Sequence, residues 1–142
     1  MSDPKTDLAR RFIEAIPHSH ALSMQVDALG DGRAELSMPY DSRLVGDPHG
    51  GVISGGAVSA LLDTCGGTAV ISHPEGPGQT ATISLRIDYM RTATPGQRLV
   101  ARAECYHVTR SVAFVRATAT DDDRDHPVAT ATGTFTADGG AA

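Results

Sequence analysis

The sequence predicts an α+β fold in which an antiparallel sheet of about six strands wraps one central apolar helix. Three observations carry this. Residues 54–70 form a helical stripe with one charged side chain, a strand hairpin pattern precedes it, and four strand-like runs follow over residues 81–135. At 142 residues the chain suits one domain, 1–142, with its core over about residues 22–136. One helix cannot cover both faces of such a sheet, so a second copy is expected to pack alongside.

Each element has its own signal. Leu8, Phe12, Ile13 and Ile16 recur at helical spacing and predict an amphipathic helix over about residues 5–16, ended by Pro17. Met24, Val26 and Ala28, then Ala34, Leu36 and Met38, alternate with polar neighbours around a Gly30-Asp31-Gly32 turn. Residues 39–52 read as loop, with Pro48 and Gly50-Gly51 as breakers. In the helix, Ser54 can cap, and Val58, Leu61, Leu62 and Cys65 make the stripe, while Gly66-Gly67 weakens the last turns.

Beyond a Pro- and Gly-rich loop the chain is strand. Ala81, Ile83, Leu85, Ile87 and Tyr89 alternate with Thr82, Ser84, Arg86 and Asp88. Pro95-Gly96 turns into a run through Leu99 and Cys105, a third run spans residues 112–120, and Asp121-Asp122-Asp123 marks an acidic turn before the last run over 128–135. The four are expected to form a meander joined to the hairpin, and residues 138–142 a frayed tail.

Composition narrows function. A net charge of −5 argues against a general nucleic-acid surface, although local arginines can still hold an anionic ligand. The N-terminal residues lack the apolar core of a signal peptide, and no apolar run is long enough to span a membrane. Cys65 and Cys105 show no metal-ligand spacing and read as buried free thiols of a cytoplasmic protein. No metal or cofactor is expected, since His18 and His20 lack accompanying Cys or carboxylate ligands.

The chemistry concentrates in the helix. Asp63 is the only Lys, Arg, Asp or Glu between Asp47 and Glu75. A carboxylate among Leu61, Leu62 and Cys65 is costly unless partnered, and suits activation of water. Spacing alone leaves open a thin solvent-facing stripe or a hydrogen bond to a neighbouring loop. Ser54-Gly55-Gly56 opens the helix, where amide donors and the helix dipole can polarise a carbonyl; equally, the glycines can serve close packing.

These segments carry a resemblance. Residues 51–64 (GVISGGAVSALLDT) and 87–96 (IDYMRTATPG), with RSVAF at 110–114 and VATATGTF at 128–135, resemble the PaaI-type hotdog thioesterases. The resemblance implies a hotdog fold, a homodimer or homotetramer with active sites at subunit interfaces, and an acyl-CoA substrate. It implies Asp63 as general base or nucleophile and the Gly55 and Gly56 amides as carbonyl donors, with Thr82 positioning the attacking water. Arg91 and Arg110 are candidates for the CoA phosphates.

The family usually reads His-Gly-Gly, with Asp seven residues after the second glycine. Here Ser54 stands at the histidine position, either capping the helix or bonding the carbonyl, and the chain's own His49-Gly50-Gly51 lies five residues too early. His49 is therefore a loop residue able to bend into the site. The missing histidine keeps a second reading open, a non-catalytic acyl-CoA-binding or regulatory hotdog protein. A hotdog hydratase ranks last, because the helix offers no histidine.

Overall fold

The protein is described here by a computed structural model covering residues 4–138. Helix α1 (Pro4–Ala15) is followed by a short α2 (Pro17–Ala21) and the hairpin β1 (Gln25–Gly30) and β2 (Arg33–Met38). A 3-10 turn (Ser42–Leu44) leads into a small hairpin, β3 (Val45–Asp47) and β4 (Val52–Ile53), and then into the long helix α3 (Gly55–Ser72). Strands β5 (Thr82–Tyr89), β6 (Leu99–Val108), β7 (Val112–Thr120) and β8 (Ala129–Thr136) complete the chain.

The six long strands form one antiparallel sheet in the order β1-β2-β6-β7-β8-β5, curved around α3. This is the hotdog arrangement that the sequence predicts, with two corrections to its wiring. The late strands are not a four-strand meander: β6, β7 and β8 are, but β5 lies at the far edge beside β8. The connection over residues 90–98 is too long and too firmly anchored to close a tight β5–β6 hairpin. Residues 39–52 are also more ordered than a loop, since β3 and β4 pair there.

Small side chains let helix and sheet approach closely. Across four strands the register aligns Ala34, Ala103, Ala117 and Ala131, and a second row aligns Leu36, Ala101, Ala119 and Ala129. All eight are buried beneath α3, with Val58, Leu61, Leu62, Cys65 and Ala69 opposite. Cys65 is fully enclosed, its Sγ donating to the carbonyls of Ala34 and Ala101 at 3.5 Å, and burial pushes its thiol up to about 12. Both cysteines are free and buried.

Gly66 and Gly67 do not end the helix, which runs on to Ser72, and Gly66 accommodates the sheet. A Cβ on Gly66 would lie 2.8 Å from the ring tip of the fully buried Phe135, whereas one on Gly67 would meet only ordinary contacts at 3.7–3.8 Å. Gly66→Ala is therefore expected to lower stability by about 1–2 kcal/mol, overpacking outweighing the gain in helix propensity. Gly67→Ala is expected to be neutral or stabilising by up to about 1 kcal/mol. Thermal melts of the two variants check this pair, and equal effects would remove Phe135 as the cause.

The N-terminal region departs from expectation. Pro17 starts a new helix instead of only ending one, as proline does at a first helical position. Of the apolar stripe on α1, Ile13 is buried while Leu8 and Phe12 remain exposed. The helix shields the β1 edge, where Glu14 Oε2 accepts from the Val26 amide at 2.8 Å. A bulge between Val26 and Ala28 turns Ala28 outward and Leu29 toward the core. Asp31 and Gly32 both have positive φ, as a two-residue hairpin turn requires. Of the expected tail, residues 139–142 lie outside the described residues. No described helix is long and apolar enough to cross a membrane.

Candidate active site

The chain enters α3 under tight control. The Ser54 amide donates to the Leu44 carbonyl at 2.8 Å, and Gly46 packs so closely that a Cβ there would lie 3.0 Å from the Ser54 α-carbon. Gly51 turns the β3–β4 hairpin with φ +72°, and its carbonyl accepts from the Tyr40 hydroxyl at 2.8 Å. Ser54 is the N-cap, its Oγ accepting from the Gly56 amide at 3.2 Å. The Gly55 amide has no acceptor among the described residues, and Gly55 is exposed. Of the two glycine donors expected from the sequence, Gly55 is thus the open one and Gly56 is engaged by the cap.

Asp63 sits two turns further along, half-buried on the side of α3 that faces the free edge of β5. Thr82 Oγ1 donates to Asp63 Oδ1 at 2.6 Å. Plain alternation from Ile83 and Leu85 would send Thr82 to the outer face. A bulge between Thr82 and Ser84 reverses the phase, so Thr82 opposes Phe135 and turns toward the helix while Ile83 is left exposed. The other carboxylate oxygen makes no bond with the described residues and opens toward solvent.

Gly55 and Asp63 are eight residues apart, about 12 Å along a helix axis. A base and an oxyanion donor must both stand about 3 Å from one reacting group. One chain therefore cannot place these two of its own groups on the same carbonyl. Both lie along the exposed β5 edge, where Ile83, Tyr89 and Met90 are also more than half exposed.

The remaining candidates are dispersed. His49 is exposed at the tip of the β3–β4 turn, its amide donating to Asp47 Oδ1 at 3.1 Å, and its ring has no partner among the described residues. Arg91 is committed within the fold: it grips the buried Asp121 carboxylate through two bonds of 2.7 Å and donates to the carbonyls of His126 and Thr92. Little of its guanidinium is left for a phosphate. Arg110, exposed in the β6–β7 turn at the sheet end that carries Thr82, has no ion pair among the described residues.

Asp121 was not expected here; its acidic run reads as a solvated turn, yet its side chain is fully buried. The Arg91 guanidinium, with the Thr94 and Asp123 amides, outweighs burial and holds its carboxyl well below the usual carboxylate range. A concavity of about 850 Å³ lies on the outer sheet face away from Asp63. Around it Arg33 and Arg116 pair with Glu104, Arg102 with Glu35 and Asp88 with Arg86, while Asp31, which also lines it, makes no ion pair among the described residues.

Known proteins are similar to this chain in sequence and fold. Residues 50–128 match the family profile described as thioesterase superfamily. A crystal structure of a Pseudomonas aeruginosa protein is 37% identical, covers 94% of this chain and 98% of its own, and superposes with a TM-score of 0.82. A structure of a mutant of the phenylacetic acid degradation protein PaaI from Thermus thermophilus is 30% identical over 84% of this chain and 97% of that one, with a TM-score of 0.74. A Halobacterium salinarum protein, provisionally named an esterase, is 34% identical over 94 residues. That match spans 61% of this chain and 62% of that protein's length.

Proposed function

The chain belongs to the thioesterase superfamily, and from that premise we propose that it hydrolyses an acyl-CoA thioester to the free acid and CoA. The observation that carries the reading is the Thr82–Asp63 pair, one short hydrogen bond at an open strand edge with the second carboxylate oxygen free. Asp63 acts there as general base or nucleophile. As base, it takes a proton from water while the water oxygen bonds to the thioester carbon; the resulting oxyanion rests on an amide donor, and collapse breaks the C–S bond and expels the CoA thiolate.

The donor comes from a second copy. The roughly 12 Å between Gly55 and Asp63 of one chain disappears when β5 of one protomer lies against β5 of its partner, because each helix N-terminus then meets the other's Asp63. A homodimer with two interface sites is the smallest such assembly, and a homotetramer would repeat it. The exposed apolar residues on β5 support this by needing cover. Gly55 is the preferred donor, with Gly56 next to it on the cap. Arg110 is the arginine free to meet a CoA phosphate. Two free buried thiols suit a reducing cytoplasm.

A thiol-release assay over straight-chain and aryl acyl-CoAs tests the reading. Saturable hydrolysis of at least one class, with kcat on the order of 1 s⁻¹ or more, is expected. Tight, saturable binding of acyl-CoA without release of CoA would instead favour the acyl-CoA-binding protein, the reading motivated by Ser54 in the histidine position.

A further inference from the structure

Tyr89 closes β5 and has no part in the chemistry above, yet it touches the open amide donor's own residue. Its hydroxyl donates to the Gly55 carbonyl at 2.8 Å. Its ring lies against the Gly55 α-carbon, where an added Cβ would meet two ring carbons at 3.3 and 3.4 Å and the hydroxyl oxygen at 3.5 Å. The backbone beneath Tyr89 is itself held. The Met90 and Arg91 amides both donate to the Val128 carbonyl, at 2.8 and 3.3 Å, and Arg91 is locked onto Asp121.

Gly55 needs such restraint. It has no side chain to limit φ and ψ, it is exposed at the first turn, and the Ser54 cap acts on the amide one residue later. We infer that Tyr89 is a positioning residue that holds Gly55 by its carbonyl, in the Gly55–Gly56 peptide, and against its α-carbon, so that the first turn of α3 presents its Gly55 and Gly56 N–H groups in a fixed direction to the thioester oxygen. An oxyanion donor is effective because it needs no reorganisation during reaction, and an unrestrained glycine would lose that advantage. Thr82 orients Asp63 from the other end of the same strand, so each protomer's β5 sets the Asp63 half of one site and the Gly55 half of the other. The inference rests on the proposed hydrolysis and adds a residue to it.

Tyr89→Phe keeps the ring against Gly55 and removes only the hydroxyl. For the best acyl-CoA, kcat is expected to fall about 3- to 10-fold, the size of one lost hydrogen bond, with KM changed less than about twofold. The melting temperature and the elution volume in gel filtration are expected to stay unchanged. Amide exchange of Gly56, whose N–H lies in the peptide that Tyr89 holds, followed by NMR without substrate, is expected to quicken several-fold. Unchanged kcat together with unchanged exchange would overturn the inference, as would a loss of activity that merely tracks a loss of folded dimer. Exchange needs no turnover. A wild-type protein that hydrolyses nothing would thus refute the thioesterase reading while the exchange result still decides whether Tyr89 restrains Gly55.

Discussion

Asp63→Asn is expected to lower kcat on the best acyl-CoA by about 10²–10⁴-fold, the range for loss of a positioned acid–base group. The substitution keeps shape and volume. The amide oxygen can still accept from Thr82 Oγ1, so the bond now measured at 2.6 Å has a successor and the β5 edge keeps its place. Stability is therefore expected to change by less than about 1 kcal/mol, which a thermal melt run beside the thiol-release assay would check. A group acting only in the reaction lowers kcat and kcat/KM together, while acyl-CoA affinity persists. Retained turnover in Asp63→Asn would remove Asp63 from the chemistry and leave the interface site without a base.

The largest effect on stability is expected at Arg91. Asp121 has no exposed side-chain surface, whereas 28% of the Arg91 side chain is exposed. Arg91→Ala strands a buried carboxylate with only the Thr94 and Asp123 amides for company. Breaking such a pair from one side destabilises by about 3 kcal/mol, the lower end of the range because Arg91 is partly solvated. For a chain of this length that corresponds to a fall in Tm of roughly 10 °C.

The sign of the pH dependence follows from the direction of the shift. Asp121 binds its proton less readily folded than unfolded, so its contribution is complete above the unfolded value of about 4 and drains away as pH falls toward the depressed folded value. The gap between wild type and Arg91→Ala is accordingly expected to be widest near neutrality and to narrow below about pH 4. Denaturant titrations at about pH 7 and about pH 3 measure it. A gap that stays constant across that range would mean that Arg91 contributes packing and not charge. Replacing both partners, Arg91→Met with Asp121→Leu, is expected to be milder than Arg91→Ala alone.

The central helix and most strands could be read from the sequence because their signals are periodic and local. Asp63 stood out for a related reason: an isolated charge in an apolar stripe is conspicuous without any knowledge of its neighbours. What could not be read depends on single-residue events or on distant partners. Thr82 faces Asp63 only because one extra residue at Ile83 reverses the alternation, and a bulge leaves no mark in a two-residue period. The edge position of β5 depends on how residues 90–98 are anchored, which in turn depends on Asp121, thirty positions beyond Arg91 in the chain. A run of three aspartates reads as solvated, and nothing local reveals that the first of them is enclosed. The α1 stripe failed differently: the sequence shows that Leu8 and Phe12 are apolar, but not that the fold supplies a surface only for Ile13.

The alanine rows on the inner sheet face give this core an unequal tolerance of change. Trimming alanine to glycine removes a single carbon, and the lost transfer energy is about 1 kcal/mol with little cavity to add. Enlarging one to valine has no slack to occupy, because the facing helix already rests on methyl groups and a displaced helix would carry Gly55 and Asp63 with it. Random substitution at Ala101, Ala117 or Ala119 is thus filtered by size before polarity. A variant can stay folded there and still lose activity, by moving two groups that it never touches.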